Sequence, residues 1–226
     1  MSRRKQISLA PKAAANTTLR ATSKRRKLPR AEKAIENRNA LLRAAAQIVG
    51  EVGYQDASIA RITQKAGLAH GTFYLYFDSR QDLLEAVLPF VGEELALFIR
   101  QRVSGAKNAL DVEEKSFRAA FEYLARNPGF YRTLNEAEFA APVGFAKQFD
   151  NAAHRYMASM LRSKERGELE GYTTKELDVV VYMLMAIRFY LYLRFVKDDG
   201  GDSGRLPEWV VKTYMKFLRG GLNYKN

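Results

Sequence analysis

The chain has 226 residues, a formal net charge of +12 and no cysteine. A chain of this length can bury one or two substantial hydrophobic cores. The lack of cysteine excludes disulfide bonds and thiolate metal sites within it, and it suits a reducing compartment. The first 30 residues contain no apolar run long enough for a signal peptide, so we expect a cytoplasmic protein.

The positive charge is concentrated at the beginning of the chain. Residues 1–30 carry ten Lys or Arg and no Asp or Glu, whereas the other 196 residues carry 27 basic and 25 acidic groups. Because this segment also has few large apolar side chains, it is predicted to be disordered in isolation. A mitochondrial transit peptide would share its basic, acid-free character.

The first predicted helix spans residues 32–53 and is ended by Gly53. Apolar residues recur along it with helical spacing, so one face is predicted to be buried. That face contains Leu41, Ala45, Ile48, Val49 and Val52.

The stretch from 58 to 80 predicts two short helices joined by a glycine turn. Ser58 can cap the first helix, since its hydroxyl can accept a hydrogen bond from a first-turn N–H. Gly67 gives the backbone freedom for the turn. In the second helix, Phe73 and Phe77 lie four residues apart and face inward, which leaves the other side chains free. This is the pattern of a helix-turn-helix.

The same stretch resembles the N-terminal domain of the TetR family of bacterial transcriptional repressors. The resemblance covers roughly residues 38–88. It departs at Ala69, where the family usually has a small capping residue, often Ser, so the second helix is predicted to be weakly capped or to be capped by another group. The matching positions are Ile59-Ala60, Ala66-Gly67-Leu68, Gly71-Thr72-Phe73-Tyr74, Tyr76-Phe77, Ser79-Arg80 and Asp82-Leu83-Leu84.

The resemblance implies that the second helix enters the major groove of DNA. We expect His70 and Thr72 to read base edges, with Gly71 allowing close approach, while tyrosine and arginine side chains hold phosphates. The family often has His at Tyr76 and Lys at Arg80, and both replacements keep a phosphate-binding group. The predicted DNA-binding residues are Ser58, Arg61, His70, Gly71, Thr72, Tyr74, Tyr76 and Arg80.

The basic segment leads directly into this region. We therefore expect residues 1–30 to form an arm that lies along phosphates or enters a minor groove. A passive leader is the alternative interpretation.

The rest of the chain is predicted to be helical, with no β pattern. Pro89 falls inside the fourth helix and should bend or break it, and 198–204 should be a flexible loop. The fold class is all-α, with about nine helices. Residues 1–30 are a disordered arm, 31–78 the DNA-binding domain, and 79–226 a helical effector-binding and dimerisation domain. Helices four to nine are predicted at 79–103, 109–127, 129–138, 142–166, 173–197 and 207–220.

The eighth predicted helix is apolar almost throughout from Val179 to Val196. Arg188 and Arg194 interrupt it and argue against a transmembrane span. A helix that is apolar on all sides is more often buried on all sides. We expect one face to pack in its own chain and the other to pair with a second subunit, together with the ninth helix. The resemblance implies the same homodimer; an ordinary single-chain core is the alternative.

The middle of the chain is rich in aromatic and methionine side chains, which suggests an adaptable apolar cavity. An ordinary helical core is the alternative. Arg188 should pair with an acid of the protein, because an unpaired buried charge is costly; an anionic ligand is the other possible partner. The predicted ligand-binding residues are Phe121, Tyr131, Phe139, Phe145, Phe149, His154, Met183 and Arg188.

No cofactor, metal site or catalytic motif is predicted. We expect a ligand-responsive regulator that binds a palindromic operator of double-stranded DNA as a homodimer. It should be a repressor, released by a small hydrophobic or aromatic effector. Two alternatives remain: a DNA-binding protein controlled by a protein partner, and an enzyme or carrier built on a helical bundle.

Overall fold

The computed structural model describes residues 29–197 and 206–222, which form nine helices and no strand. The predicted all-α fold is therefore confirmed. Residues 1–28 of the predicted 1–30 arm and the predicted loop at 198–204 lie outside the described residues, whereas Arg30 already begins α1. The helices are α1 (Arg30–Val52), α2 (Ile59–Ala66), α3 (His70–Leu75), α4 (Arg80–Arg102), α5 (Ala109–Arg126), α6 (Gly129–Ala140), α7 (Pro142–Glu165), α8 (Thr174–Tyr192) and α9 (Glu208–Leu222).

Local sequence signals set several helix starts. Ser58 accepts a hydrogen bond from the amide of Arg61 at the start of α2, as predicted. Gly67 ends α2 in the left-handed conformation, with φ of 69°. Ala69 offers no side-chain cap to α3, and α3 is a short 3-10 helix. Helix α8 begins with a capping box and is continued by one π-helical turn, Leu193–Lys197.

The first hydrophobic core unites the helix-turn-helix with parts of α4 and α6. Phe73 of α3 and Ile62 of α2 are completely buried. They pack with Leu83 and Leu88 of α4, and Ala137 of α6 belongs to the same cluster. The predicted 31–78 segment thus shares its core with residues beyond position 78.

A second core joins α5, α7, α8 and α9. The rings of Phe117 and Tyr214 stack with centroids 4.1 Å apart, which fixes α9 against α5. Outside this core, Arg118 of α5 binds the Glu208 carboxylate at the start of α9 at 2.7 Å.

Helix α4 is continuous through Pro89, so the predicted break is wrong. Proline has no N–H to donate to the carbonyl of Glu85, four residues earlier. Helix α7 approaches α4 at that carbonyl, where Gly144 has no Cβ to collide with it. The Gly144 amide also donates to the Glu85 carboxylate at 2.6 Å. Helix α7 thus packs against α4 at the carbonyl where the proline interrupts the helical backbone hydrogen bonds.

A glycine pair lets α1 approach α6. A Cβ on Gly50 would lie 2.7 Å from the Cα of Gly129. Close by, the amide of Tyr54 donates to the Glu136 carboxylate at 2.8 Å, and Arg132 donates to the carbonyl of Glu51 at 2.8 Å. The end of α1 is therefore fixed to α6 by backbone contact and by two hydrogen bonds.

Replacing Gly50 with valine should force α1 away from α6. We expect Gly50→Val to lower the free energy of unfolding by about 1–3 kcal/mol, the usual cost of overpacking. Gly220→Val is the matched control, because nothing lies within 4 Å of a Cβ at that helical glycine. Thermal unfolding followed by circular dichroism measures both. Equal melting temperatures for the two variants would contradict the close-approach explanation.

Candidate functional site

Helices α2 and α3 hold one set of predicted site residues on the surface. The buried rings of Phe73 and Phe77 fix α3 to the first core. His70, Gly71 and Tyr74 are consequently exposed, and Thr72 is half-buried beside them. The His70 and Tyr74 rings contact edge-on with centroids 6.0 Å apart. Of the predicted base-reading residues, His70 and Gly71 are thus accessible at the start of α3, and Thr72 is partly accessible.

Ser58 and Arg61 lie at the exposed start of α2. The Ser58 hydroxyl caps the helix, and one Nη of Arg61 donates to the carbonyl of Asp56 at 3.3 Å. Both side chains are therefore at the end of α2 where backbone N–H groups are unsatisfied, a favourable position for an anion.

Tyr76 and Arg80 make contacts within the protein that the sequence did not indicate. The Tyr76 hydroxyl accepts a hydrogen bond from Asn37 of α1 at 3.0 Å. The Arg80 guanidinium donates to three carbonyls of the turn between α1 and α2: Ala57 at 2.8 Å, Gln55 at 2.9 Å, and Tyr54. Arg80 therefore fixes the turn that precedes α2, in addition to any phosphate contact.

A cavity of about 930 Å³ lies between α4, α5, α7 and α8. Helix α6 also contributes to its wall, through Phe130, Tyr131, Leu134, Asn135 and Glu138. Five of the predicted ligand-binding residues line it: Phe121, Tyr131, Phe145, Phe149 and Arg188.

For the other three predicted ligand-binding residues the prediction was wrong, because their side chains lie outside the cavity. Phe139 is 87% exposed on α6, and Met183 is about half exposed on α8. His154 lies on the exposed side of α7, where its Nδ1 is 2.8 Å from the carbonyl of Asp150. Each belongs to a helix that borders the cavity, but it occupies the face turned away from it.

A buried ionic cluster forms part of the cavity wall. Arg188 of α8 binds the Glu113 carboxylate of α5 at 2.6 Å, so the predicted pairing with an acid of the protein is confirmed. The same Arg188 nitrogen donates to the hydroxyls of Ser116 at 2.7 Å and Tyr156 at 2.9 Å. Tyr156 and Tyr214 in turn donate to Glu113.

Burial and charge keep this cluster in one protonation pattern. Burial alone would lower the pKa of Arg188, but the adjacent Glu113 carboxylate raises it above its ordinary value. Burial raises the pKa of Tyr214, and Glu113 raises it further. Burial also raises the pKa of Tyr156. The two tyrosines therefore remain donors and Arg188 remains charged.

Sequence reasoning missed the α5 residues of the cluster. Glu113 and Ser116 share a helical face with Phe117 and Phe121, so polar side chains interrupt an otherwise apolar stripe. That interruption is a local signal of a buried polar contact, since an unpaired acid there would be costly.

Helices α8 and α9 expose large apolar side chains. Val179 and Tyr190 of α8 are 59% and 67% exposed, and Trp209 and Phe217 of α9 are similarly accessible. One face of α8 is therefore not covered within its own chain, which argues against the alternative of an ordinary single-chain core.

The segment Thr174–Lys197 is also long and apolar enough to cross a membrane by length and composition alone. Its residue Arg188 lies in the buried ionic cluster, which is the arrangement of a helix packed in protein. Within the described residues, no group of three His, Cys, Asp or Glu side chains could hold a metal ion.

Residues 41–87 match the family model of the bacterial regulatory proteins of the tetR family. The uncharacterized HTH-type transcriptional regulator YdgC of Bacillus subtilis is 27% identical over 186 residues, which cover 79% of this chain and 91% of YdgC. The fatty acid metabolism regulator protein of the same organism is 31% identical over 75 residues, covering 33% of this chain and 37% of that protein. Apart from YdgC, the chain thus matches the curated relatives considered over only about a third of their length.

A solved structure shares the whole architecture. The transcriptional regulator FadR from Bacillus subtilis, in complex with stearoyl-CoA, superposes with a TM-score of 0.62 at 17% identity. The alignment covers 81% of this chain and 98% of FadR. The architecture is that of a helix-turn-helix domain joined to a helical C-terminal domain. Residues 41–87 thus carry the sequence of a tetR-family domain, and the fold is similar to that of a TetR-family transcriptional regulator.

Loss of the Arg80 side chain should destabilise the helix-turn-helix. We expect Arg80→Ala to lower the free energy of unfolding by about 1.5–3 kcal/mol, the range for hydrogen bonds to a charged group. Arg61→Ala is the control, since it removes a single longer contact from an exposed arginine. Chemical denaturation of the two variants gives the comparison. If Arg80→Ala were no less stable than Arg61→Ala, Arg80 would have no structural role.

Proposed function

We propose that this protein is a ligand-responsive, DNA-binding transcriptional regulator that acts as a cytoplasmic homodimer. It represses from a palindromic operator and is released by a small apolar effector. The observation that carries this proposal is the aromatic cavity of about 930 Å³, whose wall includes α4. Helix α4 begins directly after the helix-turn-helix, so a ligand in the cavity touches the element that positions it.

DNA recognition is assigned to the exposed face of α3. His70 and Thr72 contact base edges, and Gly71 lets the helix approach the major groove. Tyr74 holds a phosphate, with Ser58 and Arg61 assisting from α2. Tyr76 and Arg80 contribute through the contacts that orient this face, and their remaining donors are available to phosphate.

The exposed apolar surface of α8 and α9 supports dimerisation. Val179, Tyr190, Trp209 and Phe217 form a surface that a second copy would cover. A two-fold arrangement brings two α3 helices to successive major grooves when they lie about 34–36 Å apart.

Helix α4 is the proposed lever between cavity and DNA. Near its start, Gln81 donates to the carbonyl of Ala140 and Glu85 accepts from Gly144. Farther along, Leu97 and Arg100 line the cavity. An effector that binds more tightly when α4 is displaced shifts the population of dimers away from the state in which the two α3 helices have the spacing required by DNA.

The cavity favours a small-molecule effector over control by a protein partner. Its volume lies in the range of small-molecule sites, about 300–1,000 Å³, and aromatic and aliphatic side chains form most of its walls. The related FadR structure contains stearoyl-CoA. An aromatic or acyl compound is therefore the proposed effector class. The basic arm over residues 1–28 stays a prediction.

Base and phosphate contacts should respond differently to substitution. Selection from a random DNA pool should return a palindrome for the wild-type protein. We expect His70→Ala to alter the preferred bases, whereas Tyr74→Phe should weaken binding to all sites alike. Binding isotherms on the selected site and on single-base variants measure both effects. Unchanged preference and affinity in both variants would contradict the assignment of α3 as the recognition helix.

Filling the cavity should separate effector response from DNA affinity. Ala152 lines the cavity, so Ala152→Trp should reduce the effector response at least tenfold while operator affinity stays within about twofold. Lys175→Trp, on the exposed start of α8, is the control and should respond like the wild type. Operator release by members of an aromatic and acyl compound set gives the readout. Full response in Ala152→Trp would place the effector elsewhere.

A charge on the proposed interface should prevent dimerisation. We expect Val179→Glu to be monomeric at micromolar concentration, because the carboxylate would be buried against a second apolar face. Ile35→Glu is the matched control, since Ile35 of α1 is equally exposed but distant in the chain. Sedimentation velocity distinguishes the two states. A dimeric Val179→Glu protein would contradict the proposed interface.

A further inference from the structure

Two polar atoms in the wall of the cavity lack a partner. Among the described residues, Nε of Arg188 and Oε1 of Gln148 are buried without a hydrogen bond. Both residues line the cavity, Arg188 from α8 and Gln148 from α7. Buried polar atoms are nearly always satisfied, so each exception requires an explanation, and a bound group is one such explanation. These two atoms therefore mark where a ligand could make polar contacts inside an otherwise apolar space.

The geometry of Arg188 leaves a defined donor for a ligand. Its Nη2 already contacts Glu113, Ser116 and Tyr156, which fixes the plane of the guanidinium. Because that plane is fixed, the Nε–H direction is also fixed. A donor held in advance loses little conformational freedom when it binds, which favours affinity.

The local charge determines the kind of acceptor. The Glu113 carboxylate already neutralises Arg188 at 2.6 Å, and Gln148 carries no charge. An ionised carboxylate placed beside Arg188 would add a second negative charge to a buried pair, with no additional cation among the residues of the cluster. An uncharged acceptor gains the hydrogen bond without that cost.

The charged side chains that line the cavity are otherwise at its exposed edge. Arg155 binds Glu93 at 2.8 Å, and both side chains are substantially exposed. Arg100 and Arg162 also line the cavity and are exposed. A formal charge on the ligand therefore belongs at this edge, whereas its inner portion meets apolar walls and the neutral polar cluster.

We propose that the effector carries an uncharged hydrogen-bond acceptor, the carbonyl of a ketone, ester, thioester or amide, and that Nε of Arg188 binds it inside the cavity. This inference rests on the proposed function of the cavity as an effector site, and it specifies the chemistry of the inner part of the ligand. Oε1 of Gln148 is itself an acceptor, so it would contact a donor group elsewhere on the ligand.

This anchor also ties the ligand to the proposed dimer helices. Arg188 belongs to α8, and Tyr214 of α9 reaches the same Glu113 carboxylate at 2.6 Å. A carbonyl bound at Nε therefore connects to both helices through one shared acid. A hydrocarbon ligand, which contacts only the apolar walls, makes no hydrogen bond to that ionic cluster.

Three small probes, each a phenyl ring with a four-carbon chain, test the inference: butylbenzene, butyrophenone and 4-phenylbutanoate. Their competition with a bound fluorescent apolar dye is measured on the full chain at pH 8, without DNA. We expect butyrophenone to bind about tenfold more tightly than butylbenzene, the size expected for a hydrogen bond to a charged donor. We expect the ionised 4-phenylbutanoate to bind more weakly than the ketone.

Arg188→Lys isolates the anchor, because it keeps a cation near Glu113 but removes the Nε–H group. The ketone preference should fall to within about twofold in this variant, while butylbenzene affinity is retained. Arg118→Lys makes the same substitution on the exposed side of α5. Tyr214→Phe loosens the cluster from outside the cavity lining. Both controls should keep the preference.

A measurement on the wild-type protein remains decisive if Arg188→Lys does not fold. The Arg188 Nε–H resonance in a nitrogen-15 spectrum should shift with butyrophenone and stay in place with butylbenzene. Equal affinity for ketone and hydrocarbon, or tighter binding of the carboxylate, would overturn this inference and leave the proposed function intact. If the dye and all three probes failed to bind, the effector site itself would be contradicted.

Discussion

The position of α4, packed into the first hydrophobic core at one end and lining the cavity farther along, is the constraint on which the rest of the molecule depends. Leu83 and Leu88 are buried with the helix-turn-helix, while Leu97 and Arg100 line the cavity farther along the same helix. Because the helix is continuous through Pro89, displacement at one end must be accommodated at the other. Close glycine contacts, Gly144 against Glu85 and Gly92 against Gln148, leave little space for side chains to absorb such a displacement.

The buried ionic cluster has a different role from the surrounding apolar contacts. Replacement of a buried ion pair by apolar side chains is often neutral or stabilising, so stability alone does not explain the Glu113–Arg188 pair. The pair holds a polar group in a fixed orientation inside a cavity whose other walls are mostly aromatic and aliphatic. Selectivity among apolar ligands requires such a group, because a methylene more or less changes affinity only modestly.

Features encoded by neighbouring residues could be predicted from the sequence. The cap at Ser58, the left-handed turn at Gly67 and the inward face of Phe73 depend on contacts within a few residues. The all-α fold followed from the same kind of pattern. The pairing of Arg188 with an acid followed from the cost of an unpaired buried charge, although the sequence did not identify Glu113 as the partner.

Features that depend on distant residues could not be predicted in this way. Arg80 binds carbonyls more than twenty residues earlier in the chain, and Gly50 meets Gly129 across two helices. Phe139 and Met183 were assigned to the cavity from aromatic and methionine richness. Which face of α6 or α8 turns inward is decided by how the helices pack, and composition does not record it.

The central claim is that a ligand in the cavity changes the spacing of the two recognition helices in a dimer. The chain has no cysteine, so Gln55→Cys introduces one attachment point for a spin label in the exposed turn after α1. Double electron–electron resonance then measures the distance between the labels of a dimer. We expect one narrow distance distribution on operator DNA and a shifted one with effector bound. Identical distributions in the two states, with effector bound and operator released, would contradict the account.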